Sequence, residues 1–282
     1  MRKLVILGIL ICIFLMGCGD KTNLEETTKI DLSGTKEYII LHTNDIHDFV
    51  DEEGDSIGYQ NIVAAVNYYK ENYDNVLVFD AGDMNNTNSA MDSSETRDMV
   101  LAANAIGYDA WTLGNNDNIE LTKEMDFPMV SSNLNIEGYS NCKSNLIIEK
   151  DGLKIGIFGL SAYSSFAPET MDKKEAAKAA VKELKSQGAE FIICLGHLGV
   201  TKGDESSYSL AQNVPGIDLI IDGHSHTLLK NGKIVGDTLV VQAGEHLEYL
   251  GVVKLYVKDN KVISMEASVL SKADISLLLE GR

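Results

Sequence analysis

Seven short runs of apolar and β-branched residues alternate with helical stretches along the chain, and this rhythm constrains the fold more than any other feature. Because the runs are continuously apolar, they predict strands buried on both faces, as in a parallel sheet covered by helices. The predicted strands are Tyr38–Leu41, Asn75–Phe79, Ala110–Leu113, Lys154–Phe158, Glu190–Leu195, Ile217–Ile221 and Thr238–Val241. The predicted helices are Ile57–Tyr73, Ser94–Ile106 and Asp172–Gln187.

The rhythm changes near the C-terminal end of the sequence. Tyr249–Val257 and Lys261–Leu270 predict two antiparallel strands joined by a short turn. Strand–helix alternation followed by a hairpin indicates an α/β protein with a mixed sheet or two packed sheets. No repeat or second linker interrupts residues 37–270, so we expect one domain there, and a tail at 271–282 with a short helix.

The first residues predict a targeting segment rather than part of the core. Arg2 and Lys3 precede an apolar run, Leu4–Met16, which is too short to span a bilayer comfortably and is typical of a secretory signal. The ending LMGC resembles a bacterial lipobox, which implies removal of residues 1–17 and acylation of Cys18. We therefore expect an extracytoplasmic lipoprotein of the bacterial cell envelope, anchored in the membrane through Cys18. Residues 18–36 are polar and suit a tether.

The charge of the chain argues against one class of partner. The formal net charge is −18 at pH 7, and removal of residues 1–17 would take away two positive charges and no negative ones. Such a surface repels nucleic acid, so we expect no nucleic-acid partner. Beyond Cys18 the cysteines are Cys142 and Cys194, and two cysteines make no disulfide framework.

Side chains that can bind metals follow five of the predicted strands. The carboxyl ends of such strands are the edge at which open α/β sheets place their ligands. These side chains are Asp45 and His47 in LHTNDIHD, Asp80 and Asp83 in FDAGD, Asn115 in TLGNNDN, His197 in CLGH, and His224 and His226 in GHSH. Roles in turns and helix caps would explain the aspartates and asparagines in these loops, but they would not explain the four histidines, because turns and caps do not require imidazole. The pattern therefore predicts a metal site.

The donor types narrow the choice of metal and of chemistry. Mixed nitrogen and oxygen donors favour Zn, Mn, Fe or Co over Ca or Mg. Seven of these side chains, all but Asp80, exceed the needs of one tetrahedral ion and suit two divalent metal ions that share a bridging ligand. Two ions about 3.5–4 Å apart activate a water and bind both ends of an in-line phosphoryl displacement. They would also offset the negative charge of the chain when an anionic phosphate approaches.

These motifs, in this order, resemble the calcineurin-like metallophosphoesterases, and in particular the N-terminal catalytic domain of bacterial 5′-nucleotidases. The resemblance runs from about Ile39 to Val257 and includes LHTNDIH, FDAGD, AIGYDAWTLGN, FPMVSSNL, ICLGHLG, VPGIDLIIDGHSHT and VVQAGEHLEYLG. It implies a four-layer α/β/β/α sandwich. It also implies a phosphohydrolase with two metals that acts on small phosphate esters, nucleotides among them.

The resemblance also implies roles for single residues. The first metal would be held by Asp45, His47, Asp83 and His226. The second would be held by Asp83, Asn115, His197 and His224. Asp83 would thus bridge the two ions, and the reacting water would lie between them. Asp80 is expected to shape its turn or orient a neighbour, whereas His42 and His246 are expected to be ordinary structural histidines.

One departure from the family pattern concerns catalysis. Relatives usually read Gly-Asn-His-Glu-x-Asp where this chain reads GNNDNI, so Asn116 replaces the histidine and Ile119 replaces the aspartate that would orient it. Asn116 remains a catalytic candidate because its amide can donate to a phosphate oxygen. General acid–base help contributes about 10²–10⁴-fold, so its loss predicts reduced activity on poor leaving groups. Two alternatives stay open: phosphodiester hydrolysis, and a metal- or phosphoester-binding lipoprotein with attenuated catalysis.

Other departures concern the substrate. Full-length 5′-nucleotidases add a C-terminal domain that sandwiches the nucleobase, whereas this chain stops soon after Leu270. An arginine often found on the first helix of relatives is also missing, and Tyr59, Gln60 and Asn61 lie there instead. Nucleobase specificity therefore does not follow from the resemblance, and a separate substrate-binding chain is a further open alternative.

Overall fold

The computed structural model describes residues 31–86, 93–139, 141–162, 168–200 and 203–281. The predicted signal segment, Cys18 and most of the predicted tether lie outside these ranges. Within them, no helix combines the length and the apolar character that a membrane span requires.

The first of two sheets has seven strands in the order β13-β12-β1-β2-β3-β4-β5. Its strands are β1 (Lys36–Thr43), β2 (Val76–Asp80), β3 (Ala110–Trp111), β4 (Met129–Val130), β5 (Cys142–Lys143), β12 (Tyr249–Lys258) and β13 (Lys261–Ser271). Strands β1 to β5 run parallel, while β12 and β13 form an antiparallel hairpin that pairs with β1. The predicted change from strand–helix units to a hairpin is therefore confirmed.

The second sheet has six strands in the order β10-β11-β9-β8-β7-β6. Its strands are β6 (Asn145–Lys150), β7 (Leu153–Ser161), β8 (Phe191–His197), β9 (Leu219–Asp222), β10 (Lys233–Val235) and β11 (Thr238–Val241). The four central strands are parallel, and the two edge strands are antiparallel to their neighbours.

Helices cover the outer face of each sheet. They are α1 (Tyr59–Asn72), α2 (Ser94–Ile106), α3 (Lys173–Ser186), α4 (Ser207–Asn213), α5 (Lys272–Glu280) and a 3-10 helix (Ile119–Lys123). One core lies under α1, α2 and α5, one lies between the sheets, and one lies under α3 and α4. Along β1, Ile39 and Leu41 enter the helix-side core while Tyr38 and Ile40 face the second sheet, which explains its continuous apolar run. The predicted four-layer α/β/β/α sandwich is confirmed.

The differences from the predicted elements have local causes. The first helix begins at Tyr59 rather than Ile57 because Gly58 has φ 74°, which is not a helical conformation, and a β-carbon there would lie 2.8 Å from the backbone nitrogen of Glu52. The short strands β4, β5 and β10 and helix α4 were not predicted. Strand β6 was missed as well, because it is a half-exposed edge strand without a fully apolar run. The predicted tail helix is α5, and its Ile275 is buried in the first core.

Candidate metal centre

The predicted ligands lie on loops with unusual backbone conformations. Five of the seven have positive φ, namely Asp45 (53°), His47 (52°), Asp83 (56°), His224 (78°) and His226 (51°). This region is uncommon for residues other than glycine and persists only where the surrounding structure enforces it. Here the backbone N–H of Asp45 donates to Gly82 O at 2.9 Å, and that of His47 donates to Asp83 O at 3.0 Å. The loops after β1 and β2 are thus joined directly.

Two glycines allow the ligand loops to approach each other. A β-carbon on Gly114 would lie 2.0 Å from Asp83 Oδ1, and one on Gly223 would lie 2.8 Å from His197 Nδ1. No side chain fits at either distance, so the glycines of TLGN and GHSH are required for close packing rather than for a turn alone.

Asp45, His47 and His226 form one compact group. The Nε2 atoms of His47 and His226 lie 3.1 Å apart. Asp45 Oδ1 lies 3.4 Å from His226 Nε2 and 3.9 Å from His47 Nε2. Three donor atoms therefore face one another closely enough to share one cation.

Asp83 and His197 form the centre of a second group with Asp45. His197 is fully buried, and its Nδ1 lies 2.8 Å from Ala81 O, so in the neutral ring Nδ1 carries the proton and Nε2 presents a lone pair. This buried Nε2 has no hydrogen-bond partner although Asp83 Oδ2 lies 3.2 Å away. Nε2 and this carboxylate oxygen therefore need a positive charge between them, which either a second proton on His197 or a divalent cation would supply.

His224 and Asn115 complete the set that the sequence predicted. His224 Nδ1 and Asn115 Oδ1 lie 2.6 Å apart, and the His224 ring packs edge-on against His197 with centroids 5.2 Å apart. The structure therefore brings the predicted ligands into two adjoining clusters, although their assignment to two ions stays a prediction.

Two carboxylates lie between the clusters. Asp83 Oδ2 is 3.2 Å from His197 Nε2 and 3.9 Å from His47 Nε2, so it reaches a histidine of each predicted set. Asp45 Oδ1 is 3.9 Å from the Nε2 atoms of both His47 and His197, and it accepts a hydrogen bond from the backbone N–H of His224. Both positions suit a bridging ligand, and Asp83 is the one that the family resemblance predicts.

The electrostatics of the clusters favour a cation. Burial opposes protonation of His197, but the carboxylates of Asp83 and Asp45 outweigh it and raise the pKa of His197 to about 10. Burial also acts on Asp83, yet His197 and the hydrogen bonds around it lower the pKa of Asp83 to about 2. The hydrogen bond with Asp45 raises the pKa of His226. The raised pKa values mean that, without a metal ion, protons on the histidines supply the positive charge beside these carboxylates, and the lowered pKa keeps Asp83 ionised. A metal ion bound by the histidine nitrogens would take the place of those protons.

Buried polar groups hold the ligand loops of the first sheet from below. Asp117 Oδ2 accepts from the backbone N–H groups of Asp83 and Gly114, both at 2.8 Å, and burial raises the pKa of Asp117 to about 7. Asp80 Oδ1 accepts from Gly82 N at 2.8 Å and its Oδ2 accepts from Thr43 Oγ1. The bond to Gly82 closes the FDAGD turn, which is the kind of contact expected of Asp80.

A matching pair holds the ligand loops of the second sheet. Asp222 Oδ1 accepts from the backbone N–H groups of residues 198 and 199, directly after His197. The buried amide of Gln242 donates to Asp222 Oδ2 at 3.2 Å and to Gly223 O at 2.9 Å, and it accepts from Ser225 Oγ and the backbone N–H of Thr227. We call Asp80, Asp117, Asp222 and Gln242 the floor of the site.

The residues that replace the family's catalytic pair are both engaged. Asn116 Nδ2 donates to Asp83 Oδ2 at 2.7 Å, and its backbone N–H donates to Asp83 Oδ1 at 2.8 Å. Asn116 therefore supports Asp83, and the phosphate contact that the sequence suggested stays a prediction. Ile119 is 3% exposed and belongs to the helix-side core.

The opening of the site contains residues that the sequence did not indicate. Glu245 Oε2 lies 2.6 Å from His226 Nδ1. The His246 ring stacks on Phe49 and lies near His47, with centroid distances of 3.9 and 5.8 Å. His246 thus lies at the site although it was expected to be an ordinary structural histidine, and its position after the carboxyl end of β11 was the available signal. We call Phe49, Glu245 and His246 the rim. His42, by contrast, is buried and belongs to neither cluster, and desolvation lowers its pKa to about 3.

Comparisons with known proteins show which family the chain resembles in sequence and fold. Residues 38–228 match the calcineurin-like phosphoesterase family. A 5′-nucleotidase of Diplobatis ommata is 29% identical over 81% of this chain and 47% of its own length. A crystal structure of a 5′-nucleotidase precursor from Thermus thermophilus superposes with a TM-score of 0.72 at 23% identity, over 87% of this chain and 58% of that one. A crystal structure of the calcineurin-like phosphoesterase YfkN from Bacillus subtilis gives 0.67 at 23% identity, over 88% of this chain and 97% of that one.

The solved structures establish a shared fold, and the family match covers more than half of the chain. The chain spans about half the length of the curated relatives it matches. It belongs to the calcineurin-like phosphoesterase family.

Proposed function

We propose that this protein is a metal-dependent phosphohydrolase, anchored to the bacterial envelope through Cys18, which hydrolyses small phosphate esters with two divalent metal ions. Asp45, His47, Asp83 and His226 would hold the first ion. Asp83, Asn115, His197 and His224 would hold the second. The observation that carries the proposal is the buried Nε2 of His197, which faces two carboxylates and has no hydrogen-bond partner.

The chain contributes positioning and charge to the reaction. When bound, the two ions would activate water and neutralise charge at the phosphoryl group. Asp83 is fixed by two hydrogen bonds from Asn116, so its Oδ2 stays between His47 and His197. Because a neutral amide gives up no proton, Asn116 can orient groups but cannot act as a general acid. We therefore propose faster hydrolysis of esters with good leaving groups than of simple alkyl esters.

The test is metal reconstitution of the purified protein. The protein is stripped with a chelator, reloaded with Mn²⁺ or Zn²⁺, and assayed on p-nitrophenyl phosphate, bis-p-nitrophenyl phosphate and AMP while bound metal is measured. We expect about two ions per chain and turnover of the activated esters. No turnover with both ions bound would favour the binding-protein alternative. Faster turnover of AMP than of the activated diester would contradict the role given to the lost histidine.

The Asn116→His variant tests whether activity is limited by the missing histidine alone or also by the missing aspartate that would orient it. The new imidazole would have no carboxylate to orient it, because Ile119 lies in the core. We expect a gain in kcat/KM on AMP far below the about 10²–10⁴-fold of a working general acid. A gain of that full size would show that a histidine at position 116 is sufficient for general acid catalysis, even without an aspartate at position 119.

The lipid anchor is tested in cells. Labelled palmitate should be incorporated into the wild-type chain and not into a Cys18→Ala variant, and the variant should leave the membrane fraction. Membrane association that persists without labelled lipid would contradict the proposed anchor.

A further inference from the structure

The rim contains an exposed aromatic side chain next to the predicted ligands. Five large hydrophobic side chains are exposed within the described ranges, and Phe49 is the aromatic one among them. They are Phe49, Leu101, Met171, Ile234 and Leu277. Phe49 is 46% exposed and belongs to the loop that carries His47. Exposure alone carries little meaning, since single exposed apolar side chains are common.

The position of Phe49 is nevertheless well defined. Its ring lies on the ring of His246 with centroids 3.9 Å apart and planes 23° apart. The His246 ring also lies near the rings of the two histidines of the first cluster, with centroid distances of 5.8 Å to His47 and 6.3 Å to His226. The four rings therefore form one continuous aromatic wall that begins at the predicted ligands and ends at solvent.

The backbone beneath this wall is strained. His246 and Leu247 both have φ 55°, and two consecutive left-handed residues other than glycine are costly. The conformation is held by the bond from His246 N to Asp45 O at 2.8 Å and by the burial of Leu247. Strain of this kind is typically maintained at functional sites, and here it places the His246 ring against Phe49.

The charge of the rim limits what can bind there. Glu245 lies between His226 and His246, with its Oε2 2.6 Å from His226 Nδ1 and 3.4 Å from His246 Nε2. Its side chain is about one-third exposed. A second anionic group on a substrate would meet this carboxylate, whereas an uncharged ring would not.

We infer that Phe49 and His246 form a binding site for the leaving group, and that the preferred substrates carry a planar, uncharged ring on the phosphate ester. The inference rests on the proposed function, because it assumes that the metal clusters hold the phosphoryl group. A flat ring would gain offset or edge-to-face contact with Phe49, and a puckered ring of the same size would not.

The test uses phosphonates that bind without being hydrolysed, so that it does not depend on turnover. Calorimetry on the Mn²⁺-loaded protein compares benzylphosphonate, cyclohexylmethylphosphonate and 4-carboxybenzylphosphonate. We expect benzylphosphonate to bind about two- to tenfold more tightly than the saturated analogue, the range of an aromatic pair. The carboxylated analogue should bind more weakly than benzylphosphonate because of Glu245.

Two variants of Phe49 test whether the aromatic wall causes this preference for a flat ring. Phe49→Leu keeps apolar bulk without a flat face, and Phe49→Ala removes the side chain. Both should bind the benzyl and cyclohexylmethyl compounds equally, with unchanged metal content, while Leu277→Ala, on the exposed face of α5, should keep the wild-type preference. Equal binding in the wild type, or a preference that survives Phe49→Ala, would overturn the inference. Phosphonate binding with this preference but no ester hydrolysis would instead refute the proposed function alone.

Discussion

The floor and the rim of the site lie next to the same ligands but differ in how they are built. The floor is completely buried. Its side chains accept hydrogen bonds from, or donate them to, the loops that carry the ligands. The rim is partly exposed and is held by ring contacts and by the carboxylate of Glu245. A buried, fully bonded network fixes geometry, whereas an exposed surface can meet a ligand. We therefore expect floor variants to change metal binding and rim variants to change substrate preference.

The largest effect is expected where the two clusters meet. Asp83→Asn keeps the shape of the side chain and an acceptor for Asn116 N, but removes the charge facing His47 and His197. Since metal ions contribute several kcal/mol of transition-state stabilisation, kcat/KM should fall by about 10³-fold. Bound metal should fall from two ions per chain to one or none, measured by elemental analysis. Full occupancy and activity would exclude Asp83 as the bridging ligand.

A second prediction concerns pH and His42, a buried histidine of β1 that belongs to neither region. The pKa of His42 is about 3 in the folded chain against an ordinary 6.5, so the unfolded chain binds a proton in this interval that the folded chain does not. The stability that neutral His42 contributes is complete above pH 6.5 and is lost as pH falls toward 3. Between pH 6.5 and 4.5 the loss should be roughly 2–3 kcal/mol.

Urea unfolding of the chelator-treated protein at pH 7 and pH 4.5 measures this loss. His42→Leu should lose less stability than the wild type over that interval, by about 2 kcal/mol, and His42→Gln should behave alike. If the wild type and both variants lose the same free energy of unfolding between pH 7 and pH 4.5, groups other than His42 control the loss of stability in acid.

The third prediction tests the floor itself. Gln242→Met keeps size but removes four hydrogen bonds around the GHSH loop, and metal affinity should fall by about 10–100-fold, as for other groups that orient ligands. Thr238→Val is the matched control at the opposite end of β11, where the buried hydroxyl donates to Ile217 O at 2.8 Å. It should lower stability by about 1 kcal/mol and leave metal affinity unchanged. Equal effects on metal affinity would mean that Gln242 acts only through stability.

The contrast between floor and rim also explains what the sequence could and could not predict. The ligands were recognisable because each follows a buried strand, and strand ends converge in an α/β sheet. Gln242 and Asp222 were not recognisable, because their partners lie on separate loops whose contacts exist only after folding. Asp117 was visible only as part of the GNNDNI motif, which gave no reason for its burial.

The rim escaped prediction for a different reason. Phe49 and Glu245 belong to ordinary polar loops, and no spacing marks a stacked pair formed by residues nearly 200 positions apart. Among the strands, edge strand β6 was hidden because its burial is incomplete. Elements with one strong hydrophobic period and residues with unusual chemistry were therefore predictable from the sequence, whereas features defined by tertiary contacts were not.

The smallest predicted effect belongs to the rim and separates charge from geometry. Glu245→Gln keeps an oxygen that can accept from His226 Nδ1, so the orientation of His226 and the metal content should be unchanged. It removes one negative charge near the approaching substrate, which at solvent-exposed distances is worth about 1 kcal/mol or less. KM for a substrate with a second anionic group, such as 4-carboxybenzyl phosphate, should therefore fall by roughly two- to fivefold, with kcat unchanged. The gain should shrink as salt rises, because the Debye length falls from about 10 Å at 0.1 M to about 3 Å at 1 M. A fall in kcat or in bound metal would place Glu245 with the floor, and the division between the two regions would then be wrong at this residue.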